Sequence, residues 1–256
     1  MRALILFALA AAALAASAMA GPAVAATPRD DDGDRYRQCL DLAQSNPAQA
    51  VERASEWRAN GGGIPARHCL ALAYGGKGDF AAATAELVAA ARAAEVDHDP
   101  HAADLWGQAG NAALLAKDSK AAITDFTSGI AVAGTEPVRL AALLTDRARA
   151  LVDGNRTTEA KTDLTRATGL DPSSTTGWLL LATLARRLGD LPAAERAILE
   201  GARRETGDPD IAFEAGNIAA AQGHLDLART EWKKVVDGAA GSDAAAAAAK
   251  ALTANP

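Results

Sequence analysis

Residues 178–201 read WLLLATLARRLGDLPAAERAILEG. Trp178, Leu181, Ala182 and Ala185 recur at helical spacing, so the first half of the stretch carries one apolar face. Gly189-Asp190 interrupts it: glycine ends a helix in the left-handed region without a Cβ penalty, and aspartate is a good N-cap for the next helix. Leu191, Ala194, Ile198 and Gly201 then form the stripe of a second helix, in which Ala194 and Gly201 are small enough for close approach. The stretch is a helical hairpin. Two helices of about a dozen residues are marginal alone, so this hairpin needs neighbours of its own kind.

The rest of the chain supplies them. Ala83, Ala122, Ala160, Ala194 and Ala228 occupy equivalent places, as do Leu87, Phe126, Leu164, Ile198 and Trp232, at steps of 39, 38, 34 and 34 residues. The extra residues fall at Asp97–His101 and Gly134–Pro137, where insertions in connections leave the packing register intact. Upstream, Arg37–Ala43 (RQCLDLA) and Arg67–Ala73 (RHCLALA) are related segments that each open a hairpin, with Ala50 and Ala83 as matching small residues. The turn Ser45-Asn46-Pro47 is about three residues shorter than Gly75–Asp79. At the other end, Ser242–Thr253 (SDAAAAAAKALT) reads as a capped, alanine-rich closing helix.

Composition agrees. The 256 residues are 49% hydrophobic but only 4% aromatic, which favours closely packed helices over sheets. A net charge of −6 with both signs interspersed gives no electrostatic reason to expect nucleic acid or an anionic membrane surface as partner.

The N-terminus has the form of an export signal. Arg2 is the only charge before Arg29, residues Leu4–Leu14 form an apolar core, and Ala18-Met19-Ala20 fits a small-x-small cleavage site, with a second candidate near Ala25-Ala26. Residues 1–20, or 1–26, are therefore expected to be removed. Retained, they would make an anchored scaffold, although the core of about eleven residues is short for a membrane span of about twenty. Residues 27–35 (TPRDDDGDR) are expected to be a disordered linker; Asp30, Asp31, Asp32 and Asp34 lack the alternate spacing and closing glutamate of a calcium loop. The expected product is soluble and periplasmic.

A helix–turn–helix period near 34 with these side chains resembles the tetratricopeptide repeat. The residues that carry the resemblance are Trp106 and Gly110; Ala148 and Pro172; Trp178, Ala182 and Gly189-Asp190; and Gly216, Gly223 and Leu225. It covers about residues 35–237 in units near 36–60, 64–96, 101–134, 139–172, 175–206 and 209–238, with 240–256 as cap and tail. Arg147 stands where leucine is commoner and Ser119 where an aromatic is commoner. The resemblance implies an all-α, right-handed superhelical solenoid whose first helices line a concave face. It implies a bacterial, non-catalytic scaffold that binds a partner protein or peptide.

Few other constellations survive scrutiny. Cys39 and Cys69 are an even count in an exported chain, which favours a disulfide. Stacked helices lie about 8–10 Å apart and a disulfide needs Cα atoms within about 7 Å, so two buried thiols are the alternative. His98 and His101 with Asp97, Asp99 and Asp104 sit in one loop broken by Pro100, not in a rigid converging set, so no metal is expected. Gly75-Gly76-Lys77-Gly78 lacks the strand and Lys-Ser/Thr of a phosphate loop. No nucleophile elbow or zinc-protease helix appears, and no cofactor or small-molecule substrate is expected.

By spacing from Trp106 and Trp178, the first-helix residues that point away from the stack are Asn111 and Leu115; Thr145 and Arg149; Thr183, Arg186 and Arg187; and Phe213 and Asn217. Arginines and asparagines there suit an acidic peptide or a C-terminal carboxylate; they are equally readable as ordinary solvated charges. The carboxylate clamp of some tetratricopeptide-repeat proteins is not carried over, because this chain has Gly107 at one of its places. Self-association into a structural homo-oligomer is the second reading.

Overall fold

The computed structural model describes residues 32–255; the expected signal and residues 27–31 of the expected linker lie outside them. Helices follow one another without a strand among the described residues. The hairpins are α1 (Asp32–Ser45) with α2 (Pro47–Ala59), α3 (Gly63–Gly76) with α4 (Phe80–Val96), and α5 (Ala102–Leu115) with α6 (Ser119–Val132). They continue with α7 (Pro137–Asp153) and α8 (Thr157–Leu170), α9 (Thr175–Arg187) and α10 (Leu191–Arg204), and α11 (Pro209–Ala221) and α12 (Leu225–Gly238). A single helix, α13 (Asp243–Ala254), comes last. Residues 32–35 correct the linker expectation. They form the first turn of α1, where Asp32 and Asp34 suit the positive end of the helix dipole and Asp34 also pairs with Arg37.

The same turn chemistry recurs between paired helices. Asp79, Asp118 and Asp190 each accept the backbone N–H three residues on, from Ala82, Ala121 and Ala193. Before them, Gly78, Lys117 and Gly189 take φ of 77°, 63° and 79°, and Asn155 and Gly223 do the same at 59° and 84° in their own hairpins. The next backbone N–H after each of these residues returns to a carbonyl five residues back, as Asp190 does to Ala185 at 2.9 Å.

Packing is sequential. Each helix packs on the next, and first helices also touch first helices: α1 on α3, α5 on α7, α9 on α11 and α11 on α13. No two second helices pack comparably, so the first helices lie on the inside of the stack's curve. The core is a string of small clusters along the stack. Alanine dominates it, with Leu70, Phe126 and Leu144 as the largest fully buried apolar side chains. Close approach depends on glycine inside the hairpins: a Cβ on Gly110 would lie 2.7 Å from the Phe126 ring, and one on Gly216 would lie 2.5 Å from Trp232.

Cys39 and Cys69 form a disulfide with Cα atoms 6.1 Å apart. The short first turn explains the approach. Only Asn46 separates α1 from α2, and α1 packs directly on α3.

Candidate binding surface on the first helices

The inner surface is largely held by side chains that bond across it. Tyr36 of α1 bonds His68 Nδ1 of α3, and His68 Nε2 meets Gln108 Oε1 of α5 at 2.7 Å. Between α5 and α7, Arg139 pairs with Asp104 at 3.1 Å, and Asn111 lies near the Asp146 carboxyl. Burial pushes the Asp146 carboxyl above its ordinary range, against the pull of Arg149 and Asn111. Between α9 and α11, Arg186 grips Glu214 through Nε and Nη2 at 2.6 and 3.1 Å. Asn217 donates to the same carboxylate and accepts the Trp232 indole N–H at 3.2 Å.

The junction of α7 with α9 lacks such a link and is also loosely packed. No hydrogen bond or ion pair joins α7 to α9 among the described residues, and these two first helices do not pack as α5 does on α7. A cleft of about 180 Å³ opens there, lined by Ala148, Arg149, Val152 and Asp153 of α7, Leu164 of α8, and Leu180, Thr183, Leu184 and Arg187 of α9. The floor is aliphatic. Arg149 reaches Asp146 at 2.8 Å, Asp153 stands on the same rim, and Arg187 is exposed with no ion pair. Small-molecule sites span roughly 300–1,000 Å³, so this cleft suits a side chain of a larger partner.

The sequence-derived candidates divide accordingly. Arg149, Thr183 and Arg187 come together on the cleft. Leu115 is 57% exposed at the end of α5, away from it. Thr145 is a correction: it is buried one turn beyond Ala141, and its hydroxyl donates to the Ala141 carbonyl at 2.8 Å. Arg186 and Asn217 are corrections as free ligand groups, because both are engaged by Glu214. Asn111 lies near Asp146, and Phe213 packs against the α12–α13 core. The floor residues Leu180 and Leu184 carry no distinguishing signal in the sequence; their apolar spacing reads as core until the gap between α7 and α9 is seen. In the loop before α5, His101 Nδ1 meets Asp99 at 2.8 Å, and no three His, Cys, Asp or Glu side chains among the described residues gather as a metal would need.

Sequential hairpins, the recurrent turn and the inner surface of first helices define the tetratricopeptide-repeat fold. Among solved structures the chain is similar to PilF of Pseudomonas aeruginosa, at 15% identity over 89% of this chain and 99% of that one, with a TM-score of 0.65. It is similar to PilW, a widely conserved type IV pilus biogenesis factor, at 14% identity over 85% and 97% of the two chains and a TM-score of 0.67. It is also similar to YrrB, a TPR protein with an unusual peptide-binding site, at 19% identity over 77% and 96% and a TM-score of 0.54. At these identities the likeness is one of fold. No protein-family model matches the sequence, and no curated protein does.

Proposed function

We propose that this protein is a non-catalytic, exported repeat scaffold that holds a peptide segment of a partner protein on its inner surface, in the assembly or upkeep of the bacterial cell envelope. The unlinked α7–α9 cleft carries the reading. It offers an aliphatic floor for one large apolar side chain, and Arg187 offers an unpaired guanidinium for a neighbouring carboxylate. The N-terminal sequence and the Cys39–Cys69 bond support export, since structural disulfides persist in oxidising compartments. No described helix is long and apolar enough to cross a membrane. The fold shared with PilW, a pilus biogenesis factor, and with YrrB, which has a peptide-binding site, supports envelope work and peptide capture respectively.

The test is capture of partners from the native envelope fraction by crosslinking, with wild type beside Arg187→Glu and Leu180→Asp. Loss of the same crosslinked species in both variants supports the cleft; undiminished capture in both sinks it. N-terminal sequencing of the mature protein tests export.

A further inference from the structure

The same junction between hairpins opens on the other face of the molecule as well. A groove of about 610 Å³ runs between the second helices α8 and α10, floored by Trp178, Leu181, Ala193, Ala197 and Leu199. Trp178 marks the opening. Trp106 holds the same place two units earlier and is only 5% exposed, and Trp57 and Trp232 are also buried, whereas Trp178 is half-buried. Its indole N–H donates to the Pro172 carbonyl at 3.0 Å, and the Arg204 guanidinium lies 5.0 Å from the ring centroid. The ring is thus fixed at the surface. Leu199 beside it is 49% exposed.

The rim is basic in a chain whose net charge is −6. Lys161, Arg196 and Arg203 line the groove, with Glu200 as the one acidic lining residue. Glu200 is already paired with both Arg203 and Arg204, which hold its carboxyl below the ordinary range. Asp190, close by, is paired with Lys161 at 2.8 Å. Arg196 makes no close ion pair, only a longer-range attraction to Asp190. The backbone along both walls is helical and internally bonded. An extended peptide laid there would bury polar backbone groups without partners, whereas a helix satisfies its own.

We infer that the α8–α10 groove is a second docking surface, for an amphipathic helix that sets an apolar stripe on Trp178, Leu181 and Leu199 and flanks it with glutamates or aspartates facing Arg196. The inference stands on the outer face and does not depend on the inner cleft.

Two synthetic amphipathic helical peptides with one shared leucine stripe test it, one flanked by glutamates and the other by lysines. Calorimetry reads binding, and emission from Trp178, the one tryptophan that is not buried, reads location. The glutamate peptide should bind, shift that emission, weaken with added salt, and lose affinity about tenfold with Arg196→Glu and with Leu199→Glu. Both residues are exposed, and thermal melts confirm that the variants are folded. Arg187→Glu on the inner face should leave this binding unchanged. The inference is overturned if neither peptide binds, if both bind alike, if binding survives the two outer substitutions, or if it falls with Arg187→Glu.

Discussion

Asp125 and Asp163 hold the same place on the second helices of adjacent hairpins, yet only Asp163 meets a guanidinium. Arg147 clasps Asp163 through Nε and Nη2, both at 2.7 Å. The residue equivalent to Arg147 one hairpin earlier is Ala109, and Asp125 is left 5% exposed with Oδ2 unbonded. Burial raises the Asp125 carboxyl to about 6, and Arg92 only partly offsets this.

Because the folded state holds the Asp125 proton more tightly than the unfolded chain does, this group's contribution to stability should be greatest below 3.8 and be lost as pH rises through about 6. Asp125→Asn should be the more stable protein above that range, by about 2 kcal/mol, and should lose its advantage below the ordinary carboxylate value of 3.8. Urea denaturation at several pH values checks this; an advantage independent of pH would refute it.

Arg147 and Asp163 should behave as a unit. Removing either partner leaves a buried charge, and Arg147→Ala or Asp163→Ala should each cost about 3 kcal/mol. Arg147→Ala combined with Asp163→Ala should cost much less than the two single changes summed. A double-mutant cycle in urea measures the coupling, and additivity would show that the pair is not coupled.

Lys117 has φ of 63° at the turn position that Gly78, Gly189 and Gly223 hold in other hairpins. A side chain costs about 1 kcal/mol in that region. Lys117→Gly should therefore raise the urea midpoint slightly, reversing the usual sign of a substitution to glycine. A lowered midpoint would mean that the lysine side chain stabilises the fold by more than its backbone strain costs.

Cys39→Ala with Cys69→Ala removes a bridge across 30 residues, worth roughly 3 kcal/mol by loop entropy. Since each hairpin contacts mainly its neighbours, the loss should be local. Hydrogen exchange should rise in α1 and α2 while α9–α12 keep their protection; a uniform rise would mean that the stack unfolds as one unit.

The hairpins were legible because their signal is short-range. Small and large residues alternate at helical spacing, and Gly189-Asp190 punctuates them chemically. The inner surface was only partly legible. Periodicity gives a residue's angle on its own helix, but not which other helix covers that side. Arg186 and Glu214 lie 28 residues apart in the chain, and Asn111 and Asp146 belong to successive first helices; neither pair has a local signature. Arg147 did leave a trace, as a cation where an apolar residue is usual, and its explanation lay 16 residues on at Asp163. The start of α1 was hidden because four aspartates near Pro28 and Gly33 have the composition of a solvated tail.

The missing bond between α7 and α9 has a mechanical meaning. On the opposite side of that joint Lys161 holds Asp190, and the Pro172 carbonyl holds both Trp178 and Arg204. The tied side is a fulcrum and the untied side a jaw. A guest side chain set on Leu180 between Arg149 and Arg187 would act as a rivet, adding across α7 and α9 the tie that the other first-helix contacts carry within the chain.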